Sequence, residues 1–308
     1  MIRRFLPLVF ACVAGAAFAG PDALDPAKLQ LASANALVFD AVTGQPIYAK
    51  AADEVTPIAS LTKLMTAMVT LDAGQPLDEP VEVSIQDFDF LKGSSSRLRL
   101  GTQLPRREML RLALMSSENR AASAVARHYP GGLDAFVEAM NAKAMLLGMT
   151  RTRFEDPTGL SPKNVSTAKD LAQMVTAAAG YSLIREFSTT PSAYVEVDPA
   201  GRVIGFNNSN RLVASSNWEI LLQKTGYIRE AGRCLVMMAN IASKPVVIVL
   251  LDSIGKYTRL GDAERVKHWI ETGDALPLKA MVNAVAPKAK VVKRAPVRGT
   301  FKTTASKR

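Results

Sequence analysis

The segment Pro57-Ile58-Ala59-Ser60-Leu61-Thr62-Lys63-Leu64-Met65-Thr66-Ala67-Met68-Val69-Thr70 is apolar enough to be a buried helix, yet it carries a serine and a lysine three places apart. Residues three apart on a helix share a face, so the Ser60 hydroxyl and the Lys63 amine can meet. Lys63 is the only charged residue between Ala59 and Leu71. Desolvation penalises a buried ammonium, and roughly 4 kcal/mol of such penalty leaves the amine neutral near pH 7. A neutral amine beside a hydroxyl is a general base for a nucleophile. The first turn of a helix adds free N–H groups that favour an oxyanion. The chemistry this implies is acyl transfer.

Serine-x-x-lysine alone is a weak signal, because Ser166-Thr167-Ala168-Lys169 and Ser253-Ile254-Gly255-Lys256 match it as well. The first of these reads as a helix cap and the second as a strand exit. Two further motifs, both C-terminal to it, set Ser60 apart. Ser117-Glu118-Asn119 comes 57 residues later at a helix junction, and Lys224-Thr225-Gly226, which occurs once, comes 107 residues after Ser117 at the end of an expected strand. Ser-x-Asn also occurs at Ser33 and Ser215, but the first precedes the nucleophile and the second lies nine residues from Lys224.

This ordered set resembles the active-site serine penicillin-recognising enzymes, whose motifs are S-x-x-K, S-D-N and K-T-G; here the middle element is Ser-Glu-Asn. The stretches PIASLTKLMTA, LMSSENRAA, RFEDPTGLSPKN and LQKTGYIREAGRCLV are similar to the low-molecular-mass penicillin-binding proteins that cleave D-alanyl bonds in peptidoglycan. The likeness runs from about residue 35 to 273 and is nearest to the D-alanyl-D-alanine endopeptidase branch, called penicillin-binding protein 7 or 8. It implies that Ser60 is the nucleophile, Lys63 its base, and Ser117 the relay to the leaving amine. It further implies that Asn119 holds the substrate amide, that Lys224 supplies charge, and that Thr225 binds a carboxylate. Gly226 would let the strand approach, and the backbone N–H of Tyr227 would complete an oxyanion hole with that of Ser60. The implied ligands are peptidoglycan peptide stems, and β-lactams as covalent inhibitors. No cofactor, metal or nucleic acid is implied.

Other chemistries fit poorly. The two histidines, His128 and His268, fall on expected helices in no metal-binding spacing, which disfavours a zinc peptidase or a serine–histidine–aspartate hydrolase. A β-lactamase of the most similar type uses a glutamate to activate the deacylating water, and the stretch around Glu155 and Asp156 does not match its E-x-x-L-N pattern. Slow release of a penicilloyl group is therefore expected. Carboxypeptidase action on a terminal D-alanine is the neighbouring alternative to cross-link cleavage.

The elements that must position these residues can be read from periodicity. The chain has 308 residues, 48% of them hydrophobic, enough for a substantial core. Arg3 and Arg4, an apolar run over 5–16 and Ala17-Phe18-Ala19 describe a secretory signal peptide over 1–19. Val9-Phe10-Ala11-Cys12 only faintly matches a lipid-attachment box, and Cys234 alone has no internal disulfide partner. An exported protein of the periplasm is expected. Of the formal charge of +10, the segment 275–308 holds +9 and the first 19 residues +2, so 20–274 is close to neutral at about −1. The basic tail reads as disordered, either a solubilising end or an adhesive for an anionic wall polymer or membrane surface.

Within 20–274, short strands are expected at 36–39 and 45–49 and near 81–84. Helices are expected over 105–116, 120–128, 133–147 and 167–179. Strands come next at 219–224, 233–241 and 246–251, then a helix over 261–272. Strands at both ends with helices between describe an α+β chain: an antiparallel sheet from residues 30–73 and 218–273, flanked by helices, with a helical lobe from 74–217 inserted. The fold the resemblance implies is that of β-lactamases and DD-peptidases.

Overall fold

The computed structural model describes residues 24–198 and 200–277. The expected signal peptide and nearly all of the basic tail lie outside them. Elements run in the order β1 (Asn35–Asp40), β2 (Pro46–Lys50), β3 (Thr56–Pro57), a 3₁₀ turn (Ala59–Thr62), α1 (Lys63–Asp72), β4 (Pro80–Glu82), β5 (Gln103–Pro105), α2 (Arg106–Met115), α3 (Asn119–Arg127) and α4 (Gly132–Leu146). The second half contains β6 (Val165–Ser166), α5 (Ala168–Ala178), α6 (Ser182–Thr189), β7 (Ser192–Glu196), β8 (Val203–Asn207), β9 (Glu219–Ile228), β10 (Gly232–Ile241), β11 (Lys244–Ser253) and α7 (Thr258–Thr272).

Five strands form one antiparallel sheet in the order β2-β1-β11-β10-β9, so the two chain ends complete one sheet as expected, joined where β1 pairs β11. Its central strands are almost continuously apolar because both faces are covered, and successive side chains go to opposite sides. Leu37, Val236, Met238, Val247, Val249 and Leu251 join the core shared with the helices of the inserted lobe. Their neighbours Ala36, Val38, Leu235, Met237, Ile248 and Leu250 pack with Leu260, Val266 and Trp269 of α7 on the other face. Helix α1 threads the middle of the lobe and is buried from Lys63 through Thr70, as a helix apolar all round must be.

The inserted lobe is less purely helical than its sequence suggests. It also contains α6 and the hairpin β7–β8, neither of which the sequence pattern predicts. Ala193 and Val195 of that hairpin point inward while Ser192, Tyr194 and Glu196 face out, a period-2 signal confined to five residues. Two boundaries near the motifs also differ. Ala59 has φ +48, a left-handed conformation no α-helix accommodates, so the helix expected from residue 57 begins as α1 only at Lys63. Strand β9 does not stop at Lys224 but continues four residues further, and Gly226 lies inside it.

Candidate active site

β9 is an edge strand of the large sheet, and its outer side runs along the 3₁₀ turn that carries Ser60. A Cβ on Gly226 would stand 3.0 Å from the Ile58 carbonyl oxygen and 3.2 Å from the Ser60 nitrogen. Glycine is required there for the strand to approach the Ser60 backbone so closely. The opposite wall is the α2–α3 junction. Helix α2 ends with the Ser116 and Glu118 N–H groups both donating to the Leu112 carbonyl, and between them Ser117 takes φ +62. Such a conformation costs on the order of 1–3 kcal/mol in a non-glycine residue. It turns the chain so that Ser117 faces the cleft and Asn119 can start α3. Ser60, Ser117, Asn119, Thr225, Gly226 and Tyr227 line one cleft of about 490 Å³.

Lys63 lies beneath this cleft with 1% of its surface exposed. Its Nζ is 2.9 Å from Ser60 Oγ, 2.7 Å from Asn119 Oδ1 and 2.6 Å from the Thr158 carbonyl oxygen. Because a 3₁₀ turn has three residues per turn, positions three apart nearly eclipse, which aligns Ser60 with Lys63. Burial pushes the amine from its ordinary 10.5 down to about 7, opposed by the charges of Asp156, Glu118 and Asp89. A neutral amine has two N–H donors and one lone pair. Asn119 Oδ1 and the Thr158 carbonyl are acceptors only, so they take the two N–H groups and leave the lone pair for the Ser60 hydroxyl.

The second motif lysine is equally buried. Lys224 donates to Ser117 Oγ at 2.8 Å and to the Thr225 carbonyl at 2.8 Å, and burial, then the nearby charges of Lys63 and Arg259, hold its amine well below the ordinary lysine range. Thr225 Oγ1 donates to Ser209 Oγ at 2.7 Å. Tyr227 is half exposed, with the Arg233 guanidinium 4.4 Å above its ring.

Several participants carry no motif signal. Ser94 Oγ accepts from Asn119 Nδ2 at 2.9 Å, and Ser209 and Arg259 line the cleft. Burial, with the Arg233 charge, pushes the Arg259 guanidinium down to about 10. Thr158 belongs to a loop organised by Asp156. The Asp156 carboxylate accepts Thr158 N, Thr158 Oγ1 and Gly159 N on one oxygen and Ser161 N on the other. Asn164 ties this loop to Thr62 of the turn that carries Ser60. Gly159, at φ +79, is wedged under the Ala59–Ser60 backbone: a Cβ there would fall 2.0 Å from the Ala59 carbonyl oxygen. Glu155 pairs instead with Lys163 at 3.0 Å.

Residues outside the cleft take structural roles. His128 caps α3, its Nδ1 2.8 Å from the Ala124 carbonyl. Buried Cys234, opposite Gly226 in the β9–β10 register, donates to the Ala231 carbonyl and has its thiol pushed up to about 12 by burial, which leaves it unreactive. Among the described residues no group of three His, Cys, Asp or Glu side chains could hold a metal ion. Among them, too, no helix is long and apolar enough to cross a membrane.

A protein-family model described as D-alanyl-D-alanine carboxypeptidase matches residues 22–255. The chain belongs to this family. Among curated relatives, a D-alanyl-D-alanine endopeptidase of Pseudomonas aeruginosa is 48% identical over 284 residues, covering 92% of this chain and 91% of the relative. A D-alanyl-D-alanine endopeptidase of Escherichia coli is 50% identical over 251 residues, covering 82% and 81%. Among solved structures, the Streptomyces K15 DD-transpeptidase superposes with a TM-score of 0.74 at 28% identity, covering 79% of this chain and 98% of that one. The α+β architecture is thus that of the DD-peptidases, and the three motifs of this DD-peptidase chain fall in one cleft.

Proposed function

We propose that the protein is a serine DD-peptidase that hydrolyses D-alanyl cross-links in peptidoglycan. The observation that carries the mechanism is the setting of Lys63: a buried amine near neutrality whose two N–H groups have acceptors and whose lone pair has the Ser60 hydroxyl. Ser60 Oγ attacks the carbonyl carbon of the D-alanyl residue while its proton passes to Lys63 Nζ. The oxyanion develops against the N–H groups of Ser60 and Tyr227. Collapse of the tetrahedral intermediate breaks the C–N bond, and the departing amine takes a proton through Ser117, whose hydroxyl Lys224 orients. Asn119 and Thr225 hold the substrate amide and carboxylate, and a carboxylate arriving beside Lys224 favours the charged form of that amine. Water then hydrolyses the acyl-enzyme.

A β-lactam undergoes the same first step, but its leaving amine stays tethered and the ester persists. Neither acidic residue of the 155–156 stretch is a ready water-activating base. Asp156 is saturated by loop donors and Glu155 is engaged by Lys163. The endopeptidase reading over the carboxypeptidase one is favoured by the two relatives of that activity at about half identity. The basic, apolar and small-residue pattern of residues 1–19 supports export to the periplasm, with 20–274 as the catalytic unit of this reading. The basic tail 275–308 is an accessory that adheres to an anionic wall polymer or membrane surface.

Digestion of purified sacculi with subsequent muropeptide separation tests this. Conversion of dimers to monomers is expected, whereas intact dimers with loss of terminal D-alanine would make the enzyme a carboxypeptidase. Truncation after Asp274 should weaken binding to sacculi and spare hydrolysis.

A further inference from the structure

Asn119 serves Lys63 in one orientation of its amide and disables it in the other. Its Oδ1 lies 2.7 Å from Lys63 Nζ and its Nδ2 donates to Ser94 Oγ at 2.9 Å. The oxygen takes one amine N–H and the Thr158 carbonyl takes the other, which leaves the lone pair for Ser60. Turned over, the amide would present its own N–H groups to the amine. Those groups donate and cannot accept, so they would occupy the lone pair and take the base away from Ser60. The two orientations have nearly the same shape, and sterics do not choose between them. The choice falls to the other partner of the amide, Ser94.

A serine hydroxyl donates or accepts, so on its own it would satisfy either orientation. Asp89 removes that freedom. Its Oδ1 accepts the N–H groups of Leu91 and Lys92, and its Oδ2 accepts that of Ser94. Burial alone would raise the Asp89 carboxyl, but the Ser94 hydroxyl, together with the N–H groups of Lys92, Ser94 and Leu91, holds it below the ordinary carboxylate range. An ionised carboxylate only accepts. The Ser94 proton is therefore committed to Asp89, and toward Asn119 the Ser94 oxygen offers lone pairs alone. Each link from Asp89 through Ser94, Asn119 and Lys63 to Ser60 then has one direction, fixed at the carboxylate.

We propose that Ser94 and Asp89 are positioning residues of the acyl-transfer reaction: they lock the Asn119 amide with its oxygen toward Lys63, and so keep the lone pair of that amine on the Ser60 hydroxyl. The inference rests on the reading above of Ser60 as nucleophile and Lys63 as its base. Neither Ser94 nor Asp89 touches the reacting atoms; both act through Asn119.

The test is the pH profile of acylation by benzylpenicillin in Ser94→Ala. A freed amide turns over only when Lys63 is neutral, because an ammonium has no lone pair and needs the amide oxygen. Turning therefore stabilises the neutral amine in an idle form. The plateau at high pH should fall about fivefold, the scale of one neutral hydrogen bond. By linkage the midpoint should move down from near 7 by the logarithm of the same factor, about 0.7 pH units, while rates on the acid limb stay unchanged. The charged groups that face Lys63 are Asp156, Glu118 and Asp89, with Lys224 as a second amine, and substitution of Ser94 leaves all four in place. Ser94→Thr, which returns the hydroxyl, should recover both plateau and midpoint. Ser94 is only half-buried, so neither substitution threatens the fold. A uniform fall at every pH overturns the proposal, as does an unchanged profile or a Ser94→Thr profile that matches Ser94→Ala. If benzylpenicillin fails to acylate Ser60 in the natural protein, the nucleophile reading itself fails and the lock goes with it. Normal acylation of Ser60 with an unshifted midpoint in Ser94→Ala sinks the lock alone.

Discussion

Two Ser-x-x-Lys segments of this chain lie side by side and have opposite fates. Strands β3 and β6 pair so that Thr56 faces Ser166; the first strand leads into the turn of Ser60 and the second into α5. In the first segment Lys63 is sealed under the cleft and touches its serine. In the second, Ser166 is buried but bonded to Thr152 Oγ1 at 2.7 Å, while the Lys169 side chain is 55% exposed and reaches Asp53 at 2.8 Å. Spacing is the same and chemistry is not. What sets the first pair apart is desolvation of the amine with two acceptors provided for its N–H groups.

The sharpest break between the two is removal of each serine. Ser60→Ala should abolish labelling by fluorescent penicillin and cost on the order of 10⁶ in kcat, as loss of a nucleophile acting in concert with its base does. Ser166→Ala should label normally and lose about 1 kcal/mol of stability for a buried hydroxyl bond. A penicillin adduct found by mass spectrometry on any side chain but Ser60 would refute the assignment.

Next in size is the wedge that only the first segment has. Gly159→Ala combines strain at φ +79 with a Cβ 2.0 Å from the Ala59 carbonyl. It should destabilise by about 2–4 kcal/mol and slow acylation by about 10² through displacement of Ser60. Gly101→Ala separates strain from collision, since its φ is +78 with open space around the added carbon; a loss near 1 kcal/mol and unchanged acylation are expected. Equal effects of the two substitutions would mean that the contact beneath Ser60 is unimportant.

Lys63 allows the comparison to be made by pH. With its amine pushed down to about 7 by burial, the base is active only when unprotonated, so acylation should rise through a midpoint near 7 and level off above it. The linkage to stability has a definite sign. Between the folded value near 7 and the ordinary 10.5, the unfolded chain binds the proton that the folded one lacks, so this group's contribution improves as pH rises through that window. The stability of the natural protein relative to Lys63→Met should therefore increase between pH 7 and 10, which urea denaturation at several pH values would measure. A flat difference would mean that the resting amine is fully protonated at neutral pH.

The same contrast explains what can be read from sequence. Ser60, Lys63, Ser117, Asn119, Lys224, Thr225 and Gly226 are legible because their spacing and order are themselves the signal, and all but buried Lys63 and Lys224 line the cleft, the two amines reaching it from beneath through Ser60 and Ser117. The main helices and the sheet are legible because the core imposes periods of 3.6 and 2 on the chain. Ser94, Ser209 and Thr158 are not, since loops place them by tertiary contact and no period marks them, and neither is Arg259, which the first turn of α7 brings to the cleft from the far end of the chain. The 3₁₀ turn at Ser60 reads as α-helix because the apolar pattern cannot reveal the left-handed Ala59 that delays α1. The hairpin β7–β8 escapes notice for a different reason: its alternation is short and sits among helices.

The smallest effect is expected at the other lysine. Lys169 and Asp53 are both exposed, at 55% and 63% of their side chains. An ion pair in that setting gains little Coulomb energy in a high dielectric and spends side-chain entropy to form. Lys169→Ala should therefore change stability by no more than about 0.5 kcal/mol, and less still in high salt. Acylation by penicillin should keep both its rate and its pH midpoint, because no part of the Lys63 setting involves this pair. If instead the acylation profile moved in Lys169→Ala, charge at the neighbouring segment would be reaching the general base across the β3–β6 ribbon, and burial alone would not account for the difference between the two lysines.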